Sequence, residues 1–155
     1  MVASYKDDKY KYVNYPVSEE LKFIVFYPDF KVNTHEARKA LPSELSYGDI
    51  IFNLSRIVHL PKAFAEGNIS LIKDIIKDKL HEPYRLPLIK EGKEILDYVN
   101  STNLSCGCIS GSGAALLIIS KDKNIIRKLN NLPLEGNWNY KECKVNTSKV
   151  KIYKV

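Results

Sequence analysis

Residues 107–119 read Gly107-Cys108-Ile109-Ser110-Gly111-Ser112-Gly113-Ala114-Ala115-Leu116-Leu117-Ile118-Ile119. Three glycines and two serines fall in the first seven positions and run directly into an apolar, β-prone segment. Glycine carries no Cβ, so this is a bared backbone loop feeding a buried strand. Such a loop serves either as a tight turn between two strands or as a close approach to a phosphate or to another loop. The pattern taken alone favours the turn. What surrounds it has to decide.

The chain has 155 residues, 45 % of them hydrophobic and 27 % charged, enough to bury the core of one globular domain. No apolar run approaches the roughly 18 residues that span a bilayer, and Met1 is not followed by a signal-peptide pattern, so a cytoplasmic protein without a membrane partner is expected. Cys106, Cys108 and Cys143 are odd in number and lack zinc-ligand spacing. They read as reduced, packed thiols, and no metal site is expected. The formal charge is +6. Lysines alternate with acids, as in Lys73, Asp74, Lys77, Asp78 and Lys79, which describes a solvated helix face. Only Lys141, Lys144, Lys149, Lys151 and Lys154 form a one-signed stretch, and no aromatic RNA-reading motif accompanies it, so nucleic acid is not an expected partner.

From the N terminus, 2–17 alternates imperfectly around Asp7-Asp8 and predicts a hairpin. Residues 22–27 form a strand closed by Pro28, and Thr34 is placed to cap a helix running to Leu41. Ile50, Ile51, Leu54, Ile57, Val58, Phe64 and Ala65 keep helical spacing, with Pro61 expected to split the element near Leu60. Gly67 should close it and Asn68 cap the next helix, whose Ile69, Ile72, Ile76 and Leu80 face a core. A further helix is predicted over 88–100, weakened at Gly92. After the glycine loop come a central strand over 115–119, a short helix over 121–132, and strands over 140–145 and 149–155 joined at Asn146-Thr147-Ser148. The pattern lacks a parallel βαβ rhythm. It argues an α+β fold, an antiparallel sheet covered by helices on one face.

A second polar constellation reads Asp78-Lys79-Leu80-His81-Glu82-Pro83-Tyr84-Arg85. Pro83 fixes a bend, so these side chains are presented from a turn. Arg85 offers a planar, permanently charged fork suited to a carboxylate or phosphate, or equally to a surface ion pair. His81 suits a helix C-terminus, where it would satisfy carbonyls. His35, His59 and His81 stand in three different settings, and no nucleophile–histidine pair is suggested by local sequence.

Several separated blocks resemble one family. Phe52-Asn53-Leu54-Ser55-Arg56, His81-Glu82-Pro83-Tyr84-Arg85 followed by Pro87-Leu88-Ile89, and Ser110-Gly111-Ser112-Gly113 are similar to the C-terminal half of the homoserine kinases, members of the GHMP superfamily of small-molecule kinases. So are Tyr27-Pro28-Asp29-Phe30, Thr34, Glu36-Ala37-Arg38 and Leu41-Pro42. The resemblance runs in order along essentially the whole chain. It implies a ferredoxin-like sheet and ATP-dependent phosphorylation of the side-chain hydroxyl of L-homoserine, within threonine biosynthesis.

The resemblance also implies what each part does. Ser110, Gly111, Ser112 and Gly113 match a glycine loop that lies against the phosphate loop and shapes the ATP site. Arg85 matches the arginine expected to grip the homoserine carboxylate. Lys144 stands where the family usually offers a second arginine, keeping the charge without the fork. Ala114 and Ala115 replace the proline and hydroxyl residue that commonly follow the loop. The family's phosphate loop, of Pro-Gly-Leu-Gly-Ser-Ser-Ala type, and its magnesium-holding acid occur nowhere in this sequence. The expectation is therefore a half-enzyme: residues 1–17 the last hairpin of an absent N-terminal domain, and 18–155 the C-terminal domain. No catalytic residue is assigned to it, ATP and Mg2+ are cofactors of the intact enzyme only, and a homodimer through the bared face is an open option. A ligand-binding or regulatory module on the same sheet, or a GHMP kinase acting on a sugar or a mevalonate intermediate, are the competing readings.

Overall fold

The apolar run after the glycine loop is an interior strand, flanked on both sides, in the computed structural model. Residues 2–4, 10–12 and 14–146 are described, the first two segments as backbone only. In chain order the elements are β1 (Val2–Ser4), β2 (Tyr10–Tyr12), β3 (Lys22–Pro28), α1 (Thr34–Lys39), α2 (Tyr47–Ile57), α3 (Leu60–Glu66), α4 (Ile69–Ile75), α5 (Glu82–Arg85), a 3-10 turn (Leu86–Leu88), α6 (Gly92–Ser101), β4 (Ser105–Ile109), β5 (Leu116–Ser120), α7 (Ile125–Asn130) and β6 (Trp138–Cys143).

The expected hairpin is present as β1 paired antiparallel with β2, Val2 opposite Tyr12. The other four strands form one antiparallel sheet in the order β4-β5-β3-β6. Taken with the helices between them, this is the ferredoxin-like β-α-β-β-α-β arrangement, in which the third strand separates the first two. The α+β class stands as read. Side chains alternate across each strand, so the sheet has two faces to cover. Ile24 and Phe26 of β3 and Leu116 and Ile118 of β5 pack with Ile95, Leu96 and Val99 of α6 and Ile125 and Leu129 of α7. That is the helical cover expected on one face. Ile119 and Cys106, with Phe23 and Leu117, pack with Ala63 of α3 and Ile69, Ile72 and Ile75 of α4. The helices inserted between β3 and α6 thus add a second layer on the other face.

Several boundaries differ from expectation for local reasons. Asn33, not Thr34, caps α1, its side chain accepting from the His35 N–H at 2.8 Å. Pro61 splits the long helical stretch as predicted, standing in the first turn of α3, where a missing N–H costs nothing. Helix α4 ends at Ile75, so the buried side chain is Ile75, with Ile76 only partly covered and Leu80 beyond the helix. The helix placed over 88–100 begins at Gly92, which therefore opens it instead of weakening its interior. Gly107 to Ile109 belong to strand β4, so the loop proper starts at Ser110. The strand expected over 149–155, with Thr147 and Ser148 of its turn, lies outside the described residues. No helix among the described residues is long and apolar enough to cross a membrane.

Helix α2 is amphipathic as its periodicity predicts, yet none of its residues is buried. Ile51, Leu54 and Ile57 are 50 %, 59 % and 51 % exposed and the adjoining Val58 68 %, so the apolar stripe faces outward. A contiguous apolar patch in water favours association. Light scattering of the purified chain should show mass rising with concentration, and Leu54→Lys should suppress that rise. The same substitution should change unfolding stability by less than about 0.5 kcal/mol, as surface changes do. By contrast Ile118→Ala, at a fully buried site between both neighbouring strands, should cost about 2–5 kcal/mol in urea denaturation.

Candidate functional site

The loop between β4 and β5 is held open by its own backbone. Ser110 N–H donates to Ala115 O at 2.8 Å and Gly113 N–H to Ser110 O at 3.2 Å. Gly111 and Gly113 have φ of 63° and 90°, the left-handed region. At Gly113 a Cβ would also stand 2.9 Å from Ile89 Cδ1, so the third glycine of the motif is required twice over. Gly107 answers a different need, since a Cβ there would meet Leu96 Cδ2 and Ile118 Cδ1 at 3.0 Å, closing the gap in which α6 packs on β4. Among the described residues the N–H groups of Gly111 and Ser112 have no hydrogen-bond partner, and neither do the hydroxyls of Ser110 and Ser112. Two free adjacent amides at a turn form a concavity that favours anionic oxygens. The loop is thus both a turn between strands and a candidate phosphate cradle.

Arg85 reaches this loop. Its Nη1 donates to Gly111 O at 3.1 Å and its Nε to Ala37 O in α1 at 3.2 Å. A guanidinium has five N–H donors, so further donors remain for an anion. Two of the predicted site features, Arg85 and the glycine loop, are therefore brought together, with α1 as a third wall.

Lys144 does not. Leu116, which leaves the loop, stands opposite Phe26, itself opposite Tyr140; Cys143 stands opposite Phe23. Lys144 follows Cys143 and so lies four residues beyond Tyr140, roughly 13 Å along the strand at ~3.3 Å per residue. It lines a separate cleft with Tyr15, Pro16 and Glu142. The register thus sets Lys144, expected as a second substrate-binding cation, at the end of the sheet away from the loop.

Behind Arg85 stands a chain of half-buried polar contacts that sequence reasoning missed. Asn53 of α2 donates to Asp78 Oδ1 at 2.5 Å and accepts from the Lys79 N–H at 3.0 Å. Asp78 Oδ2 accepts from the N–H groups of His81 and Glu82 at 2.7 and 2.6 Å, capping α5. Glu82 Oε2 accepts from the Ile109 N–H at 3.1 Å. Burial pushes Asp78 toward its neutral form, but the N–H groups of Glu82 and His81 and the Asn53 amide outweigh it and hold the carboxyl below the usual range. Burial dominates at Glu82 and pushes its carboxyl up. His81 proves to be the residue before α5, its Nδ1 buried and 3.6 Å from Asp78 Oδ2, and does not stand at a helix C-terminus. Burial pushes the Cys106 thiol up to about 12 and the Cys108 thiol to about 11, so both stay protonated at neutral pH. Among the described residues no group of three or more His, Cys, Asp or Glu is placed to hold a metal ion.

No protein-family model matches the chain. Curated proteins do. The chain is 28 % identical over 159 residues to the homoserine kinase of Caldicellulosiruptor bescii, an alignment covering 99 % of this chain and 52 % of that protein. It is 33 % identical over 150 residues to the homoserine kinase of Clostridium botulinum strain Kyoto, covering 94 % and 50 %. The chain is a homologue of the homoserine kinases. It spans about half the length of these relatives, the share of a C-terminal half. The crystal structure of a homoserine kinase from Cytophaga hutchinsonii superposes with a TM-score of 0.80 at 21 % identity, over 94 % of this chain and 48 % of that one. That likeness concerns the fold, which is the one homoserine kinases carry in their C-terminal domain.

Two outcomes follow from the site's geometry. Gly113→Ala should destabilise the chain by more than about 1 kcal/mol, read by urea denaturation, because the substituted residue can neither hold φ near 90° nor avoid Ile89. Asp78 has a depressed carboxyl, so its stabilising contribution is present above the ordinary aspartate value of 3.8 and is lost as pH falls through its lower folded value. Asp78→Asn should therefore weaken the chain at neutral pH and flatten its loss of stability below about pH 4; an unchanged acid slope would contradict the assignment.

Proposed function

We propose that this chain supplies the C-terminal half of a homoserine kinase, an ATP-dependent phosphotransferase acting on the side-chain hydroxyl of L-homoserine. The observation that supports this best is the contact of Arg85 with Gly111 O, which sets the amino-acid-gripping fork directly beside the candidate phosphate cradle. Transfer between two bound groups depends mainly on positioning and charge neutralisation. Arg85 would orient the homoserine carboxylate through its uncommitted donors, since paired N–H donors fix a carboxylate in direction as well as place. Lys144, read as the second cation of the family pattern, lies at the other end of the sheet, so Arg85 carries the carboxylate contact in this proposal.

The free amides of Gly111 and Ser112 would face phosphate oxygens of the nucleotide. ATP with its magnesium ion, when bound, supplies the phosphoryl group to be transferred. The relatives are about twice as long, and on this reading the phosphate loop and the metal-holding acid belong to the half that this chain does not match. Residues 1–17 are read as the last hairpin of that half and 18–155 as the C-terminal domain. On this reading the chain alone does not turn over ATP.

In a version joined to a phosphate-loop half, Arg85→Ala should raise the KM for homoserine on the order of 100-fold, the scale of a lost charge-assisted contact, with a much smaller rise for ATP. An unchanged homoserine KM would sink the assignment. A stoichiometric burst of ADP from the 155-residue chain with homoserine would overturn the half-enzyme reading.

A further inference from the structure

The turn that carries Arg85 also carries Glu82, for which the functional reading has no role. Strand β4 is at the edge of the sheet, with β5 on one side only. An edge strand leaves alternate N–H and C=O groups without a ladder partner. In β4 side chains take up those rungs. Asn100 accepts from the Gly107 N–H at 3.0 Å and donates Nδ2 to Gly107 O at 3.2 Å. Glu82 Oε2 takes the next rung, the Ile109 N–H, at 3.1 Å. Ile109 is the last residue of β4, and the glycine loop begins immediately after it.

Two residues further on, Gly111 O receives Arg85 Nη1. Glu82 and Arg85 are the two ends of α5, three positions apart and so on one side of a single helical turn. That turn grips the loop at its entry through an N–H and at its tip through a C=O. The turn is itself anchored, because Asp78 caps it and Asn53 ties Asp78 to α2. The loop's free amides at Gly111 and Ser112 lie at and just past the second grip.

We propose that Glu82 is a positioning residue: it fixes the end of β4 so that the glycine loop offers the Gly111 and Ser112 amides in one arrangement to the phosphates of a nucleotide. The proposal rests on the nucleotide reading of the loop. A carboxylate on a backbone N–H is among the stronger hydrogen bonds available, and it directs a group as well as stabilising it. A glutamine at position 82 keeps an acceptor oxygen of the same reach, whereas a leucine keeps the bulk and loses the acceptor.

The test is amide-resolved hydrogen exchange by NMR on the full 155-residue chain, followed by titration with ATP of the chain joined to a phosphate-loop half. Glu82→Leu should speed exchange of the Ser110 and Gly113 amides about tenfold while Ile118, in the middle of the sheet, changes less than about twofold; Glu82→Gln should restore protection to within about threefold. Unchanged protection at Ser110 and Gly113, a uniform rise that includes Ile118, or a glutamine variant as exposed as the leucine variant would overturn the role. Should Glu82→Leu fail to fold, the wild-type chain decides it: the Ser110 and Gly113 amide shifts must follow the titration of the Glu82 carboxyl, and shifts that ignore it overturn the role. In that joined form with ATP, the wild-type Gly111 and Ser112 amides should move, and Glu82→Leu should raise the half-saturating concentration at least fivefold. Wild-type amides that do not respond would sink the nucleotide reading and the purpose given to Glu82 with it. Equal responses in wild type and variant would sink the role of Glu82 alone.

Discussion

Strand β5 lies between β3 and β4, and the register of that triple positions both cores and the loop. Leu116 is opposite Phe26 and Ile109 at one end, and Ile119 is opposite Phe23 and Cys106 at the other. Because side chains alternate, this register sends Leu116 and Ile118 toward α6 and α7, and Leu117 and Ile119 toward α3 and α4. A slip of one residue would exchange the two sets and leave both layers facing the wrong partners, so the pairing is strongly specified. The same register sets the glycine loop at the Phe26 end and leaves Lys144 at the other.

A second constraint acts at right angles to the sheet. Asn53 holds Asp78, Asp78 caps α5, and Glu82 and Arg85 at the two ends of that turn reach the two backbone groups that bracket the loop's entry and tip. Half-buried groups of this kind are costly when unpaired, which gives the series its rigidity. Asp78 and Glu82 are neighbours in it with opposite tendencies. The carboxyl that collects several N–H donors is held low, while the one that collects a single N–H in a buried place is pushed up.

Much of this was legible in residues taken locally. Asn68 as a cap, Gly67 as a stop, Pro61 as a break and the apolar run of β5 all act over a few positions, and each stands where it was read. Strand β4 was not legible, because Ser-Cys-Gly-Cys-Ile has little strand propensity and is a strand through its partner β5 and the close approach of α6 at Gly107. Periodicity identified the apolar face of α2, yet it carries no information about what covers that face. In the site, Arg85 and the glycine loop were recognisable by residue type. The meeting of Arg85 with Ala37 and the separation of Lys144 depend on pairings across 48 positions and across the sheet, which composition and spacing do not encode. Glu82 was named in the Asp78–Arg85 stretch without a role, for a simpler reason: an acid before a proline has no signature that sets it apart from any exposed helix start.

The glycine loop and Arg85 are proposed to form one half of a homoserine-phosphorylating site. Its most direct test is complementation, mixing the chain with the phosphate-loop half of the Clostridium botulinum homoserine kinase and following homoserine-dependent ADP release together with phosphate incorporation into the amino acid. The account predicts that the mixture phosphorylates homoserine on its hydroxyl and that a chain carrying Arg85→Ala does not rescue the missing half. A mixture that forms a stable complex yet releases no ADP with homoserine, or rescues equally well without Arg85, would contradict it.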